Sequence, residues 1–448
     1  MFNLQHVLHA APLGDRRRND RALEIVTAFL AGGESGAEDG VHAPGKAGPW
    51  AHTMGRFRFL QNDAVSLPAL YTPCRDALAQ LVPPGRRAYV VYDFSPVDYS
   101  HHATKRDRVQ IGNTYGQGYE LFSALVLDEA GRPLGPVVQE LRTADGCLSS
   151  EASSPLPFVD HFTQAERAVQ AARFHLPDRD LVHVWDSEFD EVELERTLHS
   201  TSERYVLRAK YLARKVLLGN RLTTLGRAVR AVPRTAAGTV EREGHTYELR
   251  VAETFVTFQG PSWRGCKRGQ RPKPGPALPV RVVIAELHRG GRRAHQWVLL
   301  TNLEDPLEDI VQIYTWRWRV ERLFFLIKVG IRIETWEEQR GERIARRLAL
   351  FSLAAMVLYQ LQAAADHPEI AATIRFIAKR GGWLGRKHDP IGPIVLMRGM
   401  LRLLDSLALL EELGPDEMRR LGKTLAEVFG VPVPGVGPPL RRPRSVAA

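Results

Sequence analysis

The segment from Tyr314 to Lys328, YTWRWRVERLFFLIK, restricts what this chain can fold into more than any other. A helix advances about 100° per residue, and at that spacing the segment predicts one helix with two unlike faces. The apolar face would pack in the core and consists of Trp316, Val320, Leu323, Phe324 and Ile327. The opposite face carries a phenol, a guanidinium, a carboxylate and an ammonium, from Tyr314, Arg317, Glu321 and Lys328. Most such rows are solvated faces with a Glu–Arg pair, so the rest of the chain has to decide whether this one is a site.

Composition limits the possible partners. The 448 residues include 61 Lys and Arg against 51 Asp and Glu, a net charge of +10, which favours a polyanionic partner and nucleic acid first. Cys74, Cys147 and Cys266 lie far apart and form no C-x-x-C pair, which argues against a zinc site or a disulfide scaffold and indicates a reducing compartment. No signal-peptide pattern and no run of about 18 apolar residues is found, so we expect an intracellular protein without a membrane partner.

Two apolar segments lead to aspartates. RAYVVYDFS predicts a short strand that ends at Asp93, and DLVHVWDSEFD predicts a strand that ends at Asp186. Ligands bind at strand ends in α/β sheets, and with Glu321 these acids make three carboxylates. Mg²⁺ and Mn²⁺ take oxygen ligands and leave positions open for phosphate and water. Taken singly, such an aspartate is more often a turn former or helix cap, and the nearest competitors are predicted caps or surface charges: Asp98, Glu188 and Asp190.

The polar face of the segment from Tyr314 to Lys328, called the signature segment below, resembles a known motif. Its four residues match the Y-x2-R-x3-E-x6-K signature of a group of bacterial insertion-sequence transposases that have a ribonuclease-H-like core and cut DNA through hairpins. YDFS resembles the first-aspartate strand of that group, and VWDSEFDE resembles the second. LGDRRRNDRALEI and FRFLQNDAVS resemble its N-terminal DNA-binding segment. QWVLLTNLEDPLEDIVQIY is similar to the strand that leads into the glutamate helix, and IRFIAKRGGWLGRKHDPIGPIVLMRGMLRLLDSL to the C-terminal region.

The resemblance implies an α/β fold with a ribonuclease-H-like catalytic core. The separation of Asp186 and Glu321 by 321 − 186 = 135 residues is too long for a bare strand–helix connection, and it matches the position of a β insertion in that group. We expect an N-terminal helical DNA-binding domain, a catalytic domain with a β insertion, a C-terminal helical dimerisation region and a disordered tail, over 1–78, 79–350 (insertion about 204–303), 351–432 and 433–448.

The resemblance also implies the residue roles. Asp93, Asp186 and Glu321 would be the catalytic residues and would hold two Mg²⁺ or Mn²⁺ ions. Trp297 would stack a flipped base, and core packing of a strand tryptophan is the alternative. The other expected DNA contacts are basic or phenolic: Tyr314, Arg317, Lys328, Arg208, Lys210, Arg16, Arg17, Arg18, Arg21, Arg56 and Arg58. For Arg208 and Lys210 a basic edge strand is the alternative, and for the signature residues an internal salt-bridge row.

The sequence departs from the pattern of the group at two places. Ser187 and Glu188 follow the second aspartate, where a basic residue is usual, and Phe94 and Ser95 follow the first, where two threonines are usual. The expected function is therefore a DNA transposase that acts in the cytoplasm, at the nucleoid, as a homodimer on double-stranded transposon ends and target DNA. The alternatives are a decayed or repurposed transposase that only binds DNA, and a simple nuclease on the same fold.

Overall fold

The structure is a computed structural model that describes residues 2–30, 49–112, 115–262, 273–385 and 390–429. The predicted tail at 433–448 and Cys266 lie outside the described residues. The strands are β1 (Arg87–Asp98), β2 (Val109–Ile111), β3 (Gly116–Leu127), β4 (Pro133–Thr143), β5 (Gly146–Ser149), β6 (Asp180–Trp185), β7 (Arg204–Arg208), β8 (Lys215–Leu218), β9 (Arg221–Thr224), β10 (Thr235–Arg242), β11 (His245–Phe258), β12 (Pro261–Ser262), β13 (Lys273–Pro274), β14 (Leu278–Arg289) and β15 (Arg292–Thr301).

Helices precede, interrupt and follow these strands, so the fold is mixed α/β. They are α1 (Leu4–His9), α2 (Arg16–Leu30), α3 (Pro49–Leu60), α4 (Leu67–Leu81), α5 (His161–His175), α6 (Val192–Ser200), α7 (Leu225–Ala231), α8 (Leu307–Trp316), α9 (Trp318–Phe325), α10 (Gly341–Ala364), α11 (Pro368–Arg380) and α12 (Pro393–Phe429), the last of which is kinked at Gly414. Short 3-10 turns span Ser187–Phe189 and Ile333–Thr335.

One large mixed sheet organises the described residues. Its order is β5-β4-β3-β1-β6-β7-β15-β14-β11-β8-β9, with β2 beside β3 and β10 beside β11. β1 and β6 run parallel, as do β6 and β7, while β3 lies antiparallel to β1 on its other side. The parallel centre is covered on both faces, which explains why its strands are continuous apolar runs rather than alternating ones.

β3 and β4 form an antiparallel hairpin. Its turn contains Gly131, which has a φ of +71°. A Cβ at this position would lie 2.3 Å from the Trp316 ring. Glycine is therefore required twice, for the left-handed backbone and for the close approach of the signature segment.

The predicted β insertion, about 204–303, consists mainly of strands and also contains α7, and most of its strands extend the central sheet. β7 pairs in parallel with β6, and β15 pairs antiparallel with β7 through Leu299 and Arg208. The antiparallel strands β14, β11 and β8 follow outward. The stretch is thus joined edge to edge to the centre instead of forming a separate sheet.

α10 is the central helix of the remaining core. It packs against α2, α4 and β4, which brings the N-terminal helices and the sheet into one hydrophobic core. By length and composition it could cross a membrane, but 83% of its apolar window is buried inside the protein. Burial of this kind is typical of a core helix in a soluble domain.

The signature segment is not the single regular helix that its spacing predicts. α8 ends at Trp316, and the Arg317 N–H bonds to the Tyr314 carbonyl in a tightened turn before α9 begins. After α9, a π-helical turn spans Leu326–Gly330. The predicted apolar face is largely buried, and Trp316 packs edge-on against Tyr89 at a centroid distance of 4.9 Å.

Candidate active site

Asp93 and Asp186 lie at the same level of two neighbouring strands. β1 and β6 are parallel and pair Val91 with Val184, so each aspartate stands two residues beyond that pair. The Asp93 Oδ1 accepts the N–H of Phe94 at 2.8 Å. The Asp186 Oδ1 accepts the N–H of Ser187 at 2.5 Å and begins the short 3-10 turn. One oxygen of each carboxylate is thus held by the adjoining backbone.

Glu321 approaches the two aspartates from α9, and Arg317 lies between the three acids. The Arg317 Nη1 is 3.2 Å from the Asp93 Oδ2 and 3.6 Å from the Asp186 Oδ2. The Arg317 Nη2 donates a hydrogen bond to the Glu321 Oε1. Only 11% of the Arg317 side chain is exposed. The structure therefore brings the three predicted carboxylates together around one buried cation.

The donor set fits a hard divalent cation in its chemistry. Three carboxylates each direct one oxygen to the same guanidinium, and oxygen donors of this kind are those that Mg²⁺ and Mn²⁺ prefer. In the arrangement that the described residues adopt, no group of three His, Cys, Asp or Glu side chains is placed to hold a metal ion as it stands. The Arg317 guanidinium lies between the three carboxylates.

The charges of the cluster are unevenly stabilised. Burial raises the pKa of Asp93 to about 7, and the charges of Glu321 and Asp186 add to that effect against the opposing Arg317. Burial is also the main cause that raises the pKa of Glu321. For Asp186 the effect of burial is outweighed by Arg317, the Ser187 N–H and Arg208, so its pKa lies below the usual value. The positive charge near the cluster thus outweighs burial at Asp186 but not at Asp93 or Glu321.

Tyr314 and Trp297 form an aromatic pair beside the carboxylates. The Tyr314 hydroxyl donates to the Asp186 Oδ1 at 3.3 Å, and its ring meets Trp297 edge-on at 4.9 Å. Burial raises the pKa of Tyr314 well above its usual value, so the phenol stays protonated. Trp297 is 5% exposed, and the Arg242 guanidinium lies 5.5 Å from its ring centroid. The indole is therefore packed, and its role in base stacking stays a prediction.

The remaining sequence-predicted residues of the site divide into two groups. Arg208 lies on β7 with Nη1 3.9 Å from the Asp186 Oδ1, next to the carboxylates. Lys210 is exposed, and its Nζ lies over the Tyr211 ring at 5.7 Å from the ring centroid. Lys328 lies in the π-helical turn and pairs with Glu334 at 3.9 Å. The structure therefore gives Lys328 an acidic partner that lies outside the carboxylate cluster.

The predicted N-terminal DNA contacts lie on α2 and α3. Arg16, Arg17 and Arg58 are exposed. The Arg18 guanidinium donates to the Leu13 carbonyl at 2.9 Å, and Arg21 forms an ion pair with Glu24. Arg56 is half-buried. Their role in DNA binding stays a prediction.

Asp190 corrects one sequence expectation. It was predicted as a cap or surface charge, but its side chain is fully buried. Its Oδ2 accepts the backbone N–H groups of Lys210 and Tyr211 at 2.6 and 2.8 Å, and its Oδ1 pairs with Arg214 at 2.6 Å. Asp190 thus anchors the segment that follows Arg208. The acidic run after Asp186 gave no signal that distinguished this residue from its neighbours.

The tip of the β10–β11 hairpin lies close to the same cluster. Arg242 covers Trp297 and pairs with Glu243 at 2.7 Å, and the charge of Glu243 contributes to the raised pKa of Glu321. Glu243 has a φ of +52° and is followed by Gly244 at +75°. Sequence reasoning missed this contact, because a tight turn of this kind indicates a hairpin but not what the hairpin touches.

Comparisons with known proteins give little beyond the geometry. No protein-family model matches the chain. Among solved structures, the fold of this chain is similar to that of a chain in a piggyBac transposase synaptic complex with hairpin DNA. The two chains have 12% sequence identity and a TM-score of 0.37. The match covers 94% of this chain and 78% of the other. A similarity at this level supports no argument about function, which has to be made from the site.

Proposed function

We propose that this protein is a DNA transposase that excises a mobile element at its terminal inverted repeats and joins it to target DNA. The observation that carries the proposal is the convergence of Asp93, Asp186 and Glu321 on the Arg317 guanidinium. These carboxylates come from two parallel strands and a helix. The first and the last of them are 228 residues apart in sequence, counted as 321 − 93. The mixed sheet around them supports a ribonuclease-H-like catalytic core.

Asp93, Asp186 and Glu321 would hold divalent cations, either Mg²⁺ or Mn²⁺, and the resemblance of the signature implies two of them. When bound, such ions activate water and stabilise the charge that develops on a phosphoryl group. The aspartate oxygens that would do this are the ones that face Arg317. Their partner oxygens are held by the N–H groups of Phe94 and Ser187, which fixes the orientation of each carboxylate.

The cationic and phenolic side chains would position the DNA strand. Arg317 and Arg208 both lie against the carboxylates, and a guanidinium can bind a phosphate through two parallel hydrogen bonds. Tyr314 is kept protonated by its burial and can donate to a phosphate oxygen. Lys328 lies one to two turns beyond Glu321 on the signature segment. It would bind a phosphate at a greater distance from the scissile bond.

The proposed reaction is a series of phosphoryl transfers. Water attacks the phosphodiester at the transposon end, and the 3′-hydroxyl of the element leaves. That hydroxyl attacks the opposite strand, which closes a hairpin and releases the flanking DNA. A second water opens the hairpin, and the regenerated 3′-hydroxyl attacks target DNA. Each step breaks one P–O bond and forms another, so no redox partner is needed.

The rest of the chain would supply DNA binding and assembly. Exposed Arg16 and Arg17 on α2 and Arg58 on α3 would bind backbone phosphates of the terminal repeats. The C-terminal helices would join two copies, because exposed leucines on α12 (Leu407, Leu409 and Leu410) offer an apolar face. We propose that this homodimer acts on chromosomal DNA in the cytoplasm.

A cleavage assay tests the proposal. Duplex DNA that carries the inverted repeats flanking the gene is incubated with the protein and Mg²⁺, and products are separated on a denaturing gel. We expect a nick followed by a hairpin. Glu321→Gln should keep end binding and abolish cleavage, because it removes a cation-binding charge at nearly constant size. Glu248→Gln, at an exposed position on β11, is the matched control and should cleave normally.

Two results would contradict the proposal. Cleavage by Glu321→Gln at the parent rate would show that Glu321 is not in the catalytic set. Specific binding of the repeats by the parent protein without any cleavage would favour the alternative of a transposase-derived DNA-binding protein.

A further inference from the structure

The oxygens that a cation needs are the same oxygens that Arg317 occupies. Asp93 and Asp186 each give one oxygen to a backbone N–H and the other to the Arg317 Nη1, at 3.2 and 3.6 Å. Glu321 gives its Oε1 to the Arg317 Nη2. A divalent cation bound to these oxygens would lie next to the positively charged Arg317 guanidinium and would be repelled by it.

Arg317 is well suited to hold this position by itself. Its guanidinium is delocalised and always charged, so it cannot leave by losing a proton. Its side chain is 11% exposed, and the tightened turn between α8 and α9 places it directly between the two strands and Glu321. Its contacts on β1, β6 and α9 tie together the three elements that carry the carboxylates.

We propose that Arg317 is an internal counter-ion that competes with divalent cations for the carboxylates. Cation binding then requires the guanidinium to move off the aspartate oxygens. Once released, it is free to bind an oxygen of the DNA phosphate, so cation and phosphate each favour the binding of the other. The inference rests on the proposed function, and it adds that the site is held in an inactive state until cation and DNA are both present.

Direct measurement of cation binding tests this idea without an activity assay. Free Mn²⁺ is followed by electron paramagnetic resonance during titration of the protein without DNA. A hydrogen bond to a charged group contributes about 1.5–3 kcal/mol, and 1.4 kcal/mol is tenfold in affinity. We therefore expect Arg317→Gln to bind Mn²⁺ roughly tenfold to a hundredfold more tightly than the parent protein. Arg317→Lys, which has one compact charge and cannot bridge three acids, should fall between them.

The matched control separates competition from a general effect of charge. Arg322→Gln removes the same charge from an exposed position on α9. Equal tightening by Arg317→Gln and Arg322→Gln would overturn the proposal, and so would unchanged or weaker binding in Arg317→Gln. Thermal unfolding gives a second readout: Arg317→Gln should unfold at a lower temperature than the parent and regain more stability on addition of Mn²⁺. If Arg317→Gln does not fold, Arg317→Lys decides by the same comparison.

The outcomes also distinguish this inference from the proposed function. A parent protein that cleaves DNA while Arg317→Gln binds Mn²⁺ no more tightly would refute the counter-ion role alone. A parent protein that does not cleave DNA, together with an Arg317→Gln variant that binds Mn²⁺ no more tightly than the parent, would refute both.

Discussion

Trp297 has a structural role that can be measured separately from any role in DNA binding. It is 5% exposed, and the Tyr314 ring meets it edge-on at 4.9 Å. Removal of a core tryptophan to alanine costs about 3–5 kcal/mol, a figure that includes the loss of its contacts with neighbouring rings. We therefore expect Trp297→Ala to lower the free energy of unfolding by about 3–5 kcal/mol.

Urea unfolding followed by circular dichroism measures this loss. Phe255→Ala is the matched control, because Phe255 lies on β11 in the same sheet but is 64% exposed. Its substitution should change the free energy of unfolding by about 0.5 kcal/mol or less. Equal stability of Trp297→Ala and Phe255→Ala would refute the view that Trp297 is a core residue.

A second variant tests base stacking on a folded protein. Trp297→Phe keeps an aromatic ring in the core and should lose less stability than Trp297→Ala. Stacking of a base on an aromatic side chain contributes about 1–3 kcal/mol, so a smaller platform should slow hairpin formation while the first nick proceeds. Nicked DNA would then accumulate ahead of the hairpin on a denaturing gel. Hairpin formation at the parent rate by Trp297→Phe would argue against stacking at this residue.

Two further predictions concern stability. Gly399→Ala should destabilise the α11–α12 contact by about 1–3 kcal/mol, because its Cβ would lie 1.9 Å from the Ile377 carbonyl oxygen; urea unfolding measures this, and Gly392→Ala, which has open space, should be neutral. Burial raises the pKa of Glu203, but His183 and Arg173 outweigh it and lower that pKa to about 2 from 4.5. The ionised Glu203 therefore stabilises the fold by about 3 kcal/mol. This contribution is present above pH 4.5 and is lost as the pH falls toward 2. The free energy of unfolding of Glu203→Gln should therefore fall less in acid than that of the parent, and parallel plots of the two free energies against pH would contradict this.

Much of the sheet could be predicted because its signals are local. β6 is a short apolar run that ends directly before Asp186, and the β3–β4 hairpin has a glycine where the backbone needs a positive φ. Such patterns depend on neighbouring residues alone. The convergence of Asp93, Asp186 and Glu321 could also be predicted, because residues that follow the same parallel strand pair lie at one level of the sheet and the signature gave the position of the third acid. The expectation that the first strand ends at Asp93 was wrong, because β1 pairs with β3 beyond Asp93 and continues to Asp98.

The details of the signature segment could not be predicted, because tertiary packing decides them. Tyr314 was expected on a polar face but is buried against Trp297, a partner from β15 that helical spacing cannot reveal. Lys328 was expected in line with Glu321, but a π-helical turn changes the angle per residue and sets it beside Glu334. Asp190 was expected at the surface, and its burial depends on backbone N–H groups some twenty residues away in sequence.

The edge-to-edge pairing of β7 with β15 has a consequence for biosynthesis. β7 lies beside β6 in the centre of the sheet, and its other neighbour is β15. Thr301 of β15 pairs with Val206 of β7 and is synthesised 95 residues later, counted as 301 − 206. A ribosome at about 5–20 residues per second needs roughly 5–20 seconds to deliver that partner. During this interval the nascent chain has an open strand edge at β7, which is a template for pairing with another chain. The order of synthesis, rather than the final stability, thus sets when this protein is most exposed to misassembly.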